Sequence, residues 1–242
     1  MNLIIDIGNS YAKAAIACDG HVNAEYRYPS LTEARAVELL ECHPEVDAAI
    51  LCAVGEYDKA IEHIFRERLT RFVVLDTTTP LPIKNGYSTP HTLGMDRLAA
   101  AVGAVALYGS ETTILVVDLG SAITIDTICR GTFLGGNISP GAKMRFNALH
   151  DYTSALPLCQ LPQGDASFLG RSTTEAIEAG VAQGIIGEIE SYIEQCSHTY
   201  GSMTTVFTGG DANYFAKRVK NTIFVNSRLV TLGLNIILES TR

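Results

Sequence analysis

Short apolar bursts alternate with polar punctuation along this chain, and one such phrase occurs twice. Leu3 to Ser10 reads LIIDIGNS and Leu115 to Ser121 reads LVVDLGS, nearly half of the 242-residue chain apart. Each copy is an apolar run, an Asp, one aliphatic residue, a Gly and then small polar residues. Each leads at once into a second β-prone run, AKAAIAC or AITIDTIC. The pattern predicts two strand–turn–strand hairpins, one per half. Two copies in register argue for a duplicated domain with one site between the copies.

The remaining pattern extends this plan. His21 to Tyr28 predicts a third strand ended by Pro29, and Ser30-Leu31-Thr32-Glu33 has the form of a capping box before the amphipathic ARAVELLEC. A buried strand follows at Ala48 to Val54, then a helix from about Tyr57 to Leu69 and a strand at Arg71 to Leu75. The stretch from Asp76 to Leu93 carries Pro80, Pro82, Gly86 and Pro90 and is too long and too punctuated for a plain connector. Met95 to Tyr108 is an Ala-rich helix, read as a buried crossover. The second half repeats the order: the hairpin to Cys129, a strand through Phe133 to Ile138, a helix from about Ala142, and a polar loop with Pro157 and Pro162. A long helix then runs from a second capping box at Ser172 to about Cys196. A strand at Thr204 to Phe207, the turn Thr208-Gly209-Gly210-Asp211, a helix, a short strand and a final helix close the chain. The expected fold class is α/β, with domains at 1–110 and 111–242.

Composition narrows the function classes. An apolar content of 47% with 18% charged residues fits a filled core rather than a disordered chain. The net charge of −8, with no dense Lys/Arg cluster, argues against a nucleic-acid surface. No apolar stretch approaches the roughly 18–20 charge-free residues of a membrane span, and no signal-peptide pattern precedes Asp6, so the expected location is cytoplasmic. The six cysteines include no C-x-x-C pair and read as reduced thiols in apolar runs.

The candidate chemistry sits at the punctuation. Gly8 and Gly120 are expected to take positive φ and bring the turn backbone close to a ligand. Exposed amides and hydroxyls of such turns can surround a phosphate, and Asp6 and Asp118 can hold a neutralising cation. Lys13, on the strand leaving the first turn, can reach across to a phosphate; the second copy has Ile125 at the position read as its equivalent. Gly94-Met95-Asp96-Arg97 stands where the long loop meets a helix. An acid in a first helical turn is favoured by the macrodipole alone, but an Arg beside it at the start of an apolar helix is not explained by packing. The pair suits a site that takes a proton from a hydroxyl while binding an anion.

Taken in order, D-I-G-N-S-x-x-K, Y-x-x-P-x-x-L-G-x-D-R, V-V-D-L-G-S-A-x-T, G-G-x-I-x-P-G, G-R-S-T and T-G-G resemble the type III pantothenate kinases, within the superfamily of acetate and sugar kinases, heat-shock chaperones and actin. The resemblance runs from about residue 2 to 238. It implies two actin-like, ribonuclease H-like domains, each a mixed five-stranded sheet flanked by helices, with a nucleotide cleft between them. It implies ATP-dependent phosphorylation of pantothenate. Asp6, Ile7, Gly8, Asn9, Ser10, Tyr11, Ala12 and Lys13 would form the first ATP-phosphate loop, with Ser121 a further ATP contact. Asp96 would be the catalytic base, and Tyr87, Gly94, Met95, Asp96, Arg97 and Thr173 would form the pantothenate pocket. Asp118 would hold a monovalent cation, potassium or ammonium, beside the magnesium that accompanies ATP. The resemblance also implies a homodimer. Ser10 and Ser121 stand where the family usually has Thr, which keeps the hydroxyl and removes one methyl. The hairpins alone would also admit a sugar kinase of the superfamily, or a nucleotide-binding regulator without activity. The G-x-D-R and I-x-P-G elements speak against the first, and intact Asp96, Arg97, Lys13 and Thr173 against the second.

Overall fold

A computed structural model describes residues 1–164 and 167–241. In chain order the elements are β1 (Asn2–Ile7), β2 (Ala12–Cys18), β3 (His21–Tyr28), α1 (Glu33–Cys42), β4 (Ala48–Ala53), α2 (Ala60–Arg68), β5 (Arg71–Val74), β6 (Lys84–Asn85) and α3 (Met95–Tyr108). They continue as β7 (Thr113–Leu119), β8 (Ala122–Cys129), β9 (Thr132–Pro140), α4 (Ala142–Asp151), α5 (Thr173–Tyr200), β10 (Met203–Thr208), α6 (Ala212–Ala216), β11 (Phe224–Val225) and α7 (Leu229–Ser240). The chain packs as two units. Unit 1 comprises Met1–Ser110, Gly131–Phe133 and Arg228–Arg242; unit 2 comprises Glu111–Arg130 and Leu134–Ser227. The sequence reading placed everything after residue 110 in the second domain, whereas α7 packs in unit 1.

In unit 1 the strand order is β3-β2-β1-β4-β5, with the β1–β2 and β2–β3 pairs antiparallel and the β1–β4 and β4–β5 pairs parallel. Alternation sends Leu3, Ile5, Ala14, Ile16 and Leu51 to one face, where Leu39 of α1 and Ile61 and Phe65 of α2 complete a core. The N-cap of α1 is Thr32, whose hydroxyl accepts from the Arg35 amide at 3.4 Å; the expected cap Ser30 lies outside the helix. Helices α3 and α7 pack on each other through two glycines. A Cβ on Gly103 would overlap the Leu229 carbonyl oxygen, and one on Gly233 would overlap that of Ala99. The buried Asn235 fastens α7 to the sheet: it accepts from Asn2 Nδ2 at 2.8 Å and donates to Glu239 at 3.1 Å. The strand β6 was not foreseen. It is two polar residues long and pairs in parallel with Thr132 and Phe133, the first residues of β9.

Unit 2 repeats the strand order as β9-β8-β7-β10-β11, with an antiparallel hairpin β7–β8 and parallel β7–β10 and β10–β11 pairs. The sequence repeat is thus a repeat of topology. Its core gathers Val117, Ile125, Phe146, Ile185, Phe207 and Phe215. Helix α5 opens on Ser172, which caps the Glu175 amide at 3.3 Å, while the Glu175 carboxylate returns to the Arg171 amide at 2.8 Å. It runs four residues past the expected Cys196. Among the described residues no helix is long and apolar enough to cross a membrane.

Candidate active site

The first turn grows from the β1–β2 hairpin. The Gly8 amide donates to the Tyr11 carbonyl at 3.0 Å, closing the turn. Gly8 does not adopt positive φ, and neither does Gly120; both expectations fail. A Cβ on either would make only ordinary 3.5 Å contacts. The left-handed glycine is instead Gly209 of the third turn, at φ +91°, where a Cβ would lie 2.5 Å from Asp118 Oδ1.

Strand register pairs Asp6 with Lys13 directly across the hairpin and with Cys52 on β4. Burial pushes the Asp6 carboxyl up to about 6; Lys13 opposes the shift and the negative charge of Asp96 adds to it. Asp96 therefore stands near Asp6, and its own carboxyl is raised by burial, against the Arg97 amide and guanidinium that hold it down. Asp96 enters in the first turn of α3, and its Oδ1 accepts from the Arg97 amide at 2.9 Å. Gly94 leaves room for that carboxylate, since a Cβ there would lie 2.5 Å from Asp96 Oδ1.

Arg97 is buried, at 6% exposure, in a helix otherwise lined by Ala, Leu and Val. Its guanidinium carbon lies 5.8 Å from the centre of the Tyr87 ring and 5.7 Å from that of Phe133, within reach of both quadrupoles. The two rings meet edge to face at 6.2 Å. The Gly86 amide donates to the Phe133 carbonyl at 2.8 Å, tying the long loop to β9. Phe133 was missed in the sequence, where it reads as one more apolar residue of a strand. Met95 is half-buried and lines a cavity of about 190 Å³ with Asp76, Ile83, Asn85 and Leu98; Asp96, Arg97 and Tyr87 are absent from that lining.

The second turn belongs to unit 2 and is one residue tighter. The Gly120 amide donates to Ala122, so Asp118 pairs with Thr124 and the counterpart of Lys13 is Thr124 rather than Ile125. Three segments close around it. Asp118 pairs with Thr208 of β10, Gly209 abuts the Asp118 carboxylate, and the Asp211 amide donates to the Leu119 carbonyl at 3.0 Å. Gly141, at the start of α4, donates to the Ser121 carbonyl at 3.0 Å, and a Cβ there would collide with the Gly120 carbonyl. The I-x-P-G element is therefore a packing requirement of the second turn. Ser121 itself is exposed. Among the described residues no three His, Cys, Asp or Glu side chains converge as a metal site. Thr173 is the first residue of α5 in unit 2, on an open apolar groove of about 1050 Å³ with Met144, Leu149, Tyr152 and Ile177.

This architecture defines the class: an actin-like α/β fold shared with ATP-dependent sugar kinases. The solved polyphosphate/ATP-glucomannokinase of Arthrobacter superposes at a TM-score of 0.51, with 17% identity over 100% of both chains. A solved Campylobacter jejuni protein, described as a Baf family transcriptional activator, superposes at 0.64 with 24% identity over 98% of each chain. Both show the fold alone. The chain belongs to the type III pantothenate kinase family, whose model matches residues 2–195. It is 42% identical to the type III pantothenate kinase of Porphyromonas gingivalis over 242 residues, 98% of each protein.

Proposed function

We propose that the chain transfers the γ-phosphoryl group of ATP to the primary hydroxyl of (R)-pantothenate, giving 4′-phosphopantothenate and ADP in the first step of coenzyme A biosynthesis. The observation that carries this reading is the Asp96–Arg97 pair. A carboxyl raised by burial stands beside a buried guanidinium framed by Tyr87 and Phe133, in a chain of this family.

Phosphoryl transfer asks for alignment and charge neutralisation more than covalent help. The turn from Asp6 to Lys13 holds the triphosphate through its amides and the Lys13 ammonium, and we assign Ser121 of unit 2 to ATP on the family resemblance alone. Magnesium accompanying ATP would supply charge neutralisation, and the Asp6 carboxylate of the first turn would help to hold it. Asp96 accepts the hydroxyl proton of pantothenate as the oxygen attacks; its raised pKa brings it toward the range where a base works at neutral pH. Arg97 holds the pantothenate carboxylate, and its planar fork matches that group. Tyr87, Gly94 and Met95 shape the remainder of the pocket in unit 1, and we assign Thr173 of unit 2 to pantothenate on the family resemblance alone.

An oxygen-donor carboxylate suits a monovalent ion better than a metal needing several nitrogen or sulfur ligands. We assign Asp118 to potassium or ammonium on that ground. The open apolar groove between α4 and α5 exposes Met144 and Tyr152, at 48% and 88%, and a second copy of the chain covering it gives a homodimer. The place of action is the cytoplasm, where ATP and pantothenate meet.

The test is ADP release coupled to a dehydrogenase, with pantothenate, with and without potassium. The wild type turns over only with pantothenate present. Asp96→Asn loses turnover by at least about 10²-fold while retaining ATP binding. Near-normal turnover in that variant removes Asp96 from the role of base.

A further inference from the structure

The register of the first sheet aligns four side chains in one row: Cys52, Asp6, Lys13 and Arg27, on β4, β1, β2 and β3. They share the face opposite the Leu3–Ile5–Ile16 core. Lys13 and Arg27 are direct cross-strand partners and both are exposed. Two like charges facing each other across an antiparallel pair repel. A third charge on that face of β3 does not relieve them: Glu25 is held by Arg228, whose Nε and Nη2 approach one carboxylate oxygen at 3.0 and 2.7 Å. Among the described residues neither Lys13 nor Arg27 makes an ion pair with a carboxylate within 4.0 Å.

Arg27 is nonetheless held in place. Its guanidinium carbon lies 3.8 Å from the centre of the Tyr11 ring, and Tyr11 is part of the first turn. A guanidinium stacked on an aromatic face keeps its N–H edge available to oxygen acceptors. The arrangement is two cations side by side, one oriented by the loop, next to the strand end that carries Asp6.

We propose that Arg27 is a second phosphate-binding cation of the first turn: stacked on Tyr11, it donates to non-bridging oxygens of the ATP triphosphate beside Lys13. This rests on the kinase reading above. Asp6 faces Lys13 from the other side of the row and attracts it, so it is Arg27, the outer cation, to which the triphosphate supplies an anionic partner. Tyr11 thereby acquires a part in the loop that its backbone alone does not explain.

The experiment uses the full-length chain and magnesium with a non-hydrolysable ATP analogue, measured by calorimetry, together with steady-state kinetics and thermal unfolding. Arg27→Gln weakens analogue binding by about 10- to 100-fold, the loss expected for one charge-assisted contact. It leaves the KM for pantothenate within about twofold and the melting temperature of the unliganded protein equal or higher, because one of two facing cations is gone. Arg27→Lys, which keeps charge without the planar stack, falls between the wild type and Arg27→Gln. Analogue affinity in Arg27→Gln equal to that of the wild type overturns the proposal, as does an equal loss of affinity for the analogue and for pantothenate. Wild-type protein that binds the analogue but does not phosphorylate pantothenate refutes the substrate reading, and the affinity ratio still decides the role of Arg27. Wild-type protein that does not bind the analogue refutes both.

Discussion

Replacing Gly94 with alanine separates the position of Asp96 from the stability of the helix that carries it. The backbone at Gly94, φ −60° and ψ 127°, suits alanine without strain. The new Cβ would lie 2.5 Å from Asp96 Oδ1 and 3.7 Å from Arg97 Cδ. To reach ordinary contact the carboxylate oxygen must retreat by roughly 1 Å, which disturbs its 2.9 Å bond from the Arg97 amide. Losing an acceptor at a helix start costs about 0.5–2 kcal/mol. Stiffening the unfolded chain by Gly→Ala returns about 0.4–1 kcal/mol. The net change is therefore on the order of 1 kcal/mol or less, a shift of about 2–4 °C in Tm for a chain of this size. A proton acceptor displaced by that distance costs about 10²-fold in rate. Kinetics of ADP release and thermal unfolding on the same Gly94→Ala sample give both quantities. A large fall in kcat with a near-native Tm supports the placement of Asp96. A kcat within about threefold of wild type, at unchanged Tm, refutes the link between that carboxylate's position and turnover.

Arg97→Ala raises the KM for pantothenate by about 10²-fold, and that for ATP far less, because a hydrogen-bonded charge is withdrawn from a carboxylate partner; equal effects on both substrates would remove Arg97 from the substrate site. For Asp6, the folded-state carboxyl at about 6 lies above its ordinary 3.8, so the native state binds the proton more tightly and this group's destabilising contribution grows as pH rises from about 4 through 6. Asp6→Asn accordingly stabilises the unliganded protein above pH 6 by up to about 3 kcal/mol, seen as a higher Tm, while lowering ATP-dependent turnover. A Tm difference between Asp6→Asn and wild type that does not shrink at pH 4 would contradict this sign. Gly233→Ala forces a methyl into the Ala99 carbonyl of α3 and costs about 1–3 kcal/mol or more, measured as a lower denaturant midpoint; an unchanged midpoint would show that α3 and α7 separate freely.

The sequence made the repeated strands and most helices legible because their signals are local. LII and ILVV are apolar runs that each end on an Asp, and the Ser172 box caps α5 where its spacing says it does. What escaped depends on partners distant in the chain. Lys84–Asn85 has no strand-like pattern and becomes β6 only by pairing with Thr132 and Phe133. Thr124 could not be recognised as the counterpart of Lys13 without the pairing register, since the second turn is one residue shorter. The I-x-P-G element stood out as a motif, but its reason is contact: Gly141 lies against the Gly120 carbonyl. Gly103 and Gly233 carry no signal in the sequence and are the two halves of one close approach. In the candidate site, Asp96 and Arg97 stood out as charges in the wrong company, whereas Phe133, an apolar residue among apolar residues, gave no signal.

The embrace of α3 by α7 also sets a schedule. A ribosome finishes α3, with Asp96 at its head, before it starts β7, and α7 emerges only after β11, the last strand of the second unit. Until then the glycine-notched side of α3 has no lasting neighbour, and the first unit cannot close even though its own sheet is complete. Domains made early ordinarily fold early; here the unit that carries the reacting pair waits until the strands of the second unit have been made.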